Sequence, residues 1–180
     1  MSGTTRKPLP PALKALKPIL DALPPEEASE DEMEAKSVKD FTVGVKVFYP
    51  KGEIQRESYR TKDGKKVPQH HWRVYDLIQQ LPVGKVTTYK VICVTLREGS
   101  PRSVGTALAN NPFAPFIPCH RVIASDRTIG GFCGEKPKTG SKNRSMVSHC
   151  DWKLRMLRLE GVRFDDQGRL IAPSLAMWQP

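Results

Sequence analysis

Two clusters of helix-breaking residues, Pro82-Val83-Gly84 and Glu98-Gly99-Ser100-Pro101, constrain what the middle of this chain can fold into. A helix that runs into proline loses a backbone donor and meets a steric clash, so only short helices fit between such stops. Upstream of the first stop, Trp72, Tyr75, Ile78 and Leu81 recur at three-residue spacing, and Val74 and Leu77 broaden the stripe. That pattern predicts an amphipathic helix ending before Pro82. Thr87 or Thr88 can cap a second helix from roughly Tyr89 to Arg97, carrying Val91, Ile92, Val94 and Leu96. A third runs from about Arg102 to Asn110. Two short helices joined by a glycine-containing turn resemble a helix-turn-helix. The expected fold class is mostly α with short β-hairpins, built around a winged helix-turn-helix-like core.

The third helix has an unusual surface. Ser103, Gly105, Thr106, Ala107 and Ala109 are all small, while Val104 and Leu108 are expected to face the core. Gly105 lowers helix propensity by roughly 1 kcal/mol, and a face of small residues lets a helix backbone approach a groove closely. Arg102 at its start is placed to contact phosphate or reach into a base stack. Charge points to the same partner. The chain carries a formal net charge of +10, and its distribution is uneven. Residues 1–40 hold six Lys/Arg and eight Asp/Glu, whereas residues 41–180 hold 23 and 11, a net of +12. Such a basic body suits a polyanion.

Residues 1–40, with an acidic cluster from Glu26 to Glu34, bury too little apolar surface to offset ordering entropy and are expected to be disordered. Phe41, Val43, Val45, Val47 and Tyr49 alternate like a half-buried strand, and Ile54–Tyr59 is expected to pair back on it as a short hairpin. A basic linker to Pro68 follows, with the main domain at 69–180. His70 and His71 are expected at the surface. No long apolar run or signal-peptide pattern occurs, so a soluble intracellular protein is expected, nuclear in a eukaryote and cytoplasmic otherwise. Cys93, Cys119, Cys133 and Cys150 form no dense framework and are expected to be reduced.

Ile117-Pro118-Cys119-His120-Arg121 sets a thiol beside an imidazole in an apolar frame. Only the thiolate attacks well, and imidazole can take its proton near neutral pH. Alone, the pair also fits a small buried cysteine. The surrounding motifs decide the reading: Thr87-Thr88-Tyr89, Pro101-Arg102-Ser103-Val104-Gly105, Asn111-Pro112, the Pro-Cys-His-Arg block followed by Val122-Ile123, and Leu159-Glu160-Gly161-Val162 occur in order. From about Trp72 to Val162 the chain closely resembles the DNA-binding domain of O6-alkylguanine-DNA alkyltransferases.

The resemblance implies irreversible transfer of an alkyl group from O6 of guanine to one cysteine, with base flipping. By matching positions, Cys119 is the acceptor, His120 the base acting through a bridging water, and Glu160 the group that orients the imidazole. Tyr89 matches a tyrosine that helps rotate the nucleotide and donates a proton to the departing guanine. Asn111 matches a hinge asparagine, and Arg102 an arginine that fills the gap left by the extruded base. DNA contacts are expected from Arg102, Ser103, Gly105, Thr106, Ala109, Tyr89 and Arg121. Pro118, Val122, Phe132 and Cys133 are expected to line the pocket, with the loop through Ser125-Asp126-Arg127 clamping the base.

Departures from the family pattern sharpen these expectations. Phe132 stands where a tyrosine is common, and Cys133 replaces a small hydroxyl residue. A basic insertion occupies about 135–151. Cys133, His149 and Cys150 lack the paired spacing of a zinc site, and neither metal nor cofactor is expected. Trp152, Met156 and Leu159 mark a helix delivering Glu160, with Lys153, Arg155 and Arg158 on its wetter sides, followed by a hairpin from Val162 to Ile171. The ending, Met177-Trp178-Gln179-Pro180, resembles alkyltransferase-like proteins, which bind alkylated guanine and lack the acceptor cysteine. The alternative function is therefore a non-catalytic sensor that flags O6-alkylguanine for nucleotide excision repair. The cysteine at 119 favours transfer. The expected partner is double-stranded DNA containing O6-alkylguanine, and the expected state is a monomer without membrane association.

Overall fold

A computed structural model describes residues 14, 17, 18, 47–134 and 149–178. Six helices of four or more residues follow one another in it: α1 (Glu53–Ser58), α2 (Gln69–Ile78), α3 (Tyr89–Leu96), α4 (Pro101–Ala109), α5 (His149–Leu159) and α6 (Pro173–Ala176). Two strands of two residues, β1 (Thr87–Thr88) and β2 (Val122–Ile123), pair in parallel. The mostly α architecture agrees with the sequence pattern. Of the N-terminal tail expected to be disordered, residues 14, 17 and 18 are helical and the rest lie outside the described residues; of the basic insertion expected at about 135–151, residues 135–148 lie outside them and 149–151 begin α5.

Local chemistry explains the helix-turn-helix. The Thr88 hydroxyl accepts from Val91 N at 3.2 Å and starts α3. Ser100 and Ser103 form a reciprocal capping box at the start of α4, with Pro101 pre-set for a first helical turn. Helices α2, α3 and α4 pack together through Ile78, Ile92, Val104 and Ala107, all fully buried. Tyr75 reaches across from α2 and donates its hydroxyl to Ala107 O at 2.8 Å. This satisfies a buried polar tip and fixes α2 against α4.

The upstream segment differs from the sequence expectation. Residues 54–59 do not pair back as a hairpin strand; α1 occupies 54–58 and Tyr59 closes it. Of the strand expected over 41–49, residues 41–46 lie outside the described set and 47–49 are not strand. The physical reason is local. Gln55 Oε1 accepts from Lys51 N and Gly52 N, Glu53 sits in the first turn and Arg56 in the last, so caps and helix dipole favour a helical turn. Side-chain packing then holds it. Arg56 donates two bonds to Asp76, at 2.8 and 2.6 Å, and its guanidinium lies 5.1 Å from the Trp72 ring centre. Tyr49 donates to the same carboxylate at 2.7 Å and makes edge contacts with Trp72 and Phe113. The core therefore extends upstream of Gln69.

Downstream, Ala124 N donates to Thr128 O and Arg127 N to Ala124 O, giving the expected turn around Ser125–Arg127. The Asp126 carboxylate, accepting from Thr128 N and Oγ1, fixes that turn. Phe164 and Leu170 bridge in antiparallel fashion around the 165–168 turn, the expected terminal hairpin reduced to one bridge. Arg169 bridges Thr128, so the hairpin also braces the loop near the site. A second small core of Val86, Ile123, Leu157, Val162 and Leu170 joins these pieces.

Candidate active site

Cys119 is placed by three devices. Pro118 (φ −78°, ψ 65°) centres an inverse γ-turn in which Cys119 N donates to Ile117 O at 2.8 Å. Residues Cys119–Arg121 then form one 3-10 turn leading directly into β2. The register of Thr87 with Val122 and of Thr88 with Ile123 brings the start of α3, and so Tyr89, beside that turn. Asn111 completes the frame. Its Nδ2 donates to Ile117 O at 2.9 Å, its Oδ1 accepts from Phe113 N at 3.0 Å, and its side chain hydrogen-bonds the Cys119 thiol. Asn111 thus ties the segment after α4 to the Cys119 turn.

Beside Cys119, His120 is 1 % exposed and its Nε2 lies 2.9 Å from Glu160 Oε1. Glu160 is carried at the end of α5, which Gly161 closes with φ +80°, a left-handed conformation that favours glycine. Gly84 lies against the same junction: at φ +75°, an added Cβ would come within 2.9 Å of Glu160 O. Burial alone would raise the Glu160 carboxyl, but the His120 and Arg121 contacts outweigh it and bring it down to about 2. Burial depresses His120 below its ordinary value, more than Glu160 raises it. Burial also raises the Cys119 thiol, against the Asn111 hydrogen bond and the nearby Lys153 charge. The resting pair is therefore a neutral thiol beside a neutral imidazole, with the fixed charges held one layer further out.

Two residues change role. Arg121, expected to contact DNA, is 4 % exposed and faces inward. Its Nε donates to both Glu160 oxygens at 3.1 and 2.9 Å, its Nη2 to Oε1 at 2.7 Å, and its Nη1 to Leu81 O at 2.7 Å. A planar guanidinium fork matches a carboxylate, and that match takes Arg121 out of the expected DNA face. Lys153, expected on a wet side of its helix, is 0 % exposed. Its Nζ donates to Val122 O, Ile129 O and Gly131 O at 2.7, 2.6 and 3.1 Å. Burial pushes its ammonium down to about 8, against the opposing pull of Cys119, Cys150 and Cys133. The missed signal is spacing: Lys153 stands seven residues before Glu160, two turns up the same helix face.

Tyr89 sits between the helix-turn-helix and the pocket loop. Its hydroxyl donates to Gly131 O at 3.2 Å. Burial, then the Cys119 and Cys150 charges, raise it well above its ordinary value, so it stays protonated and able to donate. Pro118, Val122 and Phe132 are buried and Cys133 is half-buried beside them, all packed in or next to the core that contains Cys119. On α4, Arg102 and Thr106 are exposed, while Ser103, Gly105 and Ala109 are half-buried. A Cβ at Gly105 would meet only the Tyr89 ring, at 4.0 Å, an ordinary contact. Internal packing does not demand glycine there. Ser103 is tied inward: its Oγ lies 3.1 Å from His70 Nε2. His70 is correspondingly half-buried between α4 and Glu98, not at the open surface.

Residues 69–162 match the family model described as 6-O-methylguanine DNA methyltransferase, DNA binding domain. The chain belongs to this family. A methylated-DNA–protein-cysteine methyltransferase of Methanothermobacter thermautotrophicus is 32% identical over 139 residues, covering 77% of this chain and 70% of that one. Relatives with the same name from Sulfolobus acidocaldarius and Saccharolobus solfataricus are 40% and 51% identical over 93 residues. Those matches cover 52% of this chain and 50% and 51% of the relatives, so the chain spans about half the length of those two family members. Among solved structures, the O6-methylguanine-DNA methyltransferase of Pyrococcus kodakaraensis is 31% identical, with TM-score 0.43 over 54% of this chain and 48% of that one. The S. pombe Atl1 complex with DNA containing O6-carboxymethylguanine is 28% identical, with TM-score 0.46 over 64% of this chain and 100% of that one. Among the described residues no helix is long and apolar enough to cross a membrane.

Proposed function

We propose that this protein repairs DNA by moving an alkyl group from O6 of guanine onto its own Cys119, once per chain. The observation that carries the reading is the buried His120–Glu160–Arg121 chain beside a cysteine that Asn111 holds in place. Displacement at a saturated carbon requires a thiolate, yet burial keeps Cys119 protonated at rest. The proton must therefore leave as the lesion binds. His120, neutral and polarised by Glu160, accepts it through a bridging water. Sulfur forms a bond to the alkyl carbon, the carbon–O6 bond breaks, and its electron pair stays on guanine. Tyr89 donates a proton to the departing base, which lowers the barrier by improving the leaving group.

A stacked guanine cannot present its O6 substituent to a thiol that is 5 % exposed, so the nucleotide must flip out of the duplex. The open, small-residue face of α4 fits against the minor groove, and Arg102 fills the vacated place in the stack. Phe132 packs against the base. The thioether formed at Cys119 has no path back to a thiol, which makes the transfer single-use. The competing reading, a lesion sensor without transfer, is disfavoured by the cysteine itself and by relatives named as methyltransferases.

Incubation with a duplex bearing one O6-methylguanine, followed by intact-mass measurement, is expected to add one methyl group per chain. The Cys119→Ser variant is expected to bind the duplex and gain nothing. Binding by the wild type without a mass gain would support the sensor instead.

A further inference from the structure

Arg127 takes a backbone conformation that its side chain does not favour. Ala124 N donates to Thr128 O and Arg127 N donates to Ala124 O, both at 3.0 Å, which closes a short hairpin loop of Ser125-Asp126-Arg127. The last residue of such a loop is left-handed and is ordinarily glycine. Arg127 stands there at φ +66°, exposed to solvent. A left-handed backbone crowds a Cβ, so the turn alone would be better served by glycine. Arg97, also exposed and left-handed at φ +50°, closes α3, where a cation meets the last helical carbonyls. Arg127 closes no helix. Among the described residues its guanidinium makes no hydrogen bond or ion pair.

The loop that carries Arg127 is fixed from outside as well. Leu170 N donates to Arg127 O at 2.9 Å, and Thr128 bridges Arg169 in antiparallel fashion. Asp126, the acid of the loop, is occupied by Thr128 N and Oγ1, and the Arg169 charge helps to stabilise its carboxylate. Further along, Gly130 meets Tyr89. A Cβ at Gly130 would lie 3.5 Å from one edge of the tyrosine ring, and a Cβ at Gly105 of α4 would lie 4.0 Å from the other. One tyrosine ring thus separates the pocket loop from the small-residue face of α4. From Gly130 back to Arg127 the chain spans at most about 11 Å. A duplex seated on α4 presents a phosphate about every 3.4 Å along each strand, so its backbone passes within reach of Arg127.

We propose that Arg127 binds a backbone phosphate of the duplex seated on α4, gripping the DNA on the pocket-loop side of the flipped nucleotide while Arg102 fills the stack. This contact rests on the reading of the chain as a DNA repair protein and adds a second anchor to it. A guanidinium fork suits a phosphate, and the free Arg127 group has both the charge and the donors for it. Phosphate contacts carry no sequence information, so damaged and undamaged duplex are gripped alike. The turn fixes the arginine backbone before DNA arrives, so little further order is lost on binding.

The test measures binding of the full chain to a lesion-free duplex across a salt series by fluorescence anisotropy, with the melting temperature of each variant alongside. Each phosphate neutralised contributes about 0.9 to the slope of log affinity against log salt. Arg127→Gly is expected to lower the slope by that amount, so that its deficit in affinity grows about eightfold between 1 M and 0.1 M salt. It is expected to melt at or above wild type, because glycine suits the turn. Arg127→Gln keeps the crowded backbone and is expected to lose the same slope, whereas Arg127→Lys keeps the charge and is expected to retain it. Lys51→Gln, an equal loss of charge just before α1, is expected to bind with the wild-type slope. An unchanged slope in Arg127→Gly, or an equal loss in Lys51→Gln, would overturn the proposal, and melting of Arg127→Gly below wild type would assign the side chain to the fold instead. Because the duplex carries no lesion, the two readings fail separately. A lowered slope in a chain that gains no methyl group would sink the repair reading alone, and methyl transfer with an unchanged slope would sink the Arg127 contact alone.

Discussion

Replacing Glu160 with glutamine removes one negative charge from the centre of the site while leaving its shape. The carboxylate accepts three bonds from Arg121 and lies 2.9 Å from His120 Nε2, and its side chain is fully buried. Its fall from an ordinary 4.5 to about 2 corresponds to about 3 kcal/mol of stabilisation by those partners. Breaking a buried pair from one side costs about 3–5 kcal/mol, which agrees in size. For a chain of 180 residues each kcal/mol moves the melting temperature by about 2–4 °C. Glu160→Gln is therefore expected to melt roughly 6–12 °C below wild type at neutral pH. The sign of the pH dependence follows from the depressed carboxyl. Its contribution is complete above the ordinary carboxylate range and is lost as pH falls through about 2. The gap between variant and wild type, read by differential scanning calorimetry, should thus narrow steadily below pH 4.5. A gap under about 2 °C at pH 7, or one unchanged between pH 7 and pH 3, would refute the claim that this ion pair holds the site together.

Other perturbations separate chemistry from scaffold. Transfer rate is expected to rise with pH as His120 loses its proton, below the ordinary imidazole value, and to fall again above about 8, where Lys153 loses the charge that favours the Cys119 thiolate; a stopped-flow pH profile without a descending limb would contradict that effect of Lys153. Tyr89→Phe removes the proton donor and one bond to Gly131 O, so single-turnover transfer should slow by about 10²-fold or more, with melting changed by under about 1 kcal/mol. Arg102→Ala is expected to reduce flipped-base fluorescence more than plain-duplex affinity, since one phosphate contact is a small share of non-specific binding; equal losses would argue against the wedge.

What the sequence revealed, and what it hid, follows from the range of the forces involved. The helices near 69–78, 89–96 and 101–109 were legible because breakers and caps act within a few residues. The Cys119–His120 pair was legible because its members are neighbours and Glu160 follows in a recognisable motif. Arg121 and Lys153 were misplaced for one shared reason. A charged residue reads as exposed unless its partners are known, and their partners lie 39 residues away at Glu160 and 22 to 31 residues away at backbone carbonyls. Backbone acceptors leave no trace in side-chain identity. The 54–59 segment was misread because the alternation upstream, over 41–49, suggested a partner strand and nothing in the sequence showed that Gln55 would cap a turn or that Arg56 would meet Asp76, 20 residues on.

If Cys119 takes the alkyl group, intact guanine is left in the duplex. The most direct measurement follows both products of one reaction: a limiting duplex with isotopically labelled O6-methylguanine, a digest of the DNA and a peptide map of the protein. Guanine is expected in the same amount as label on the Cys119 peptide, up to one per chain. Lesion recovered unchanged from duplex that the protein had bound would contradict it.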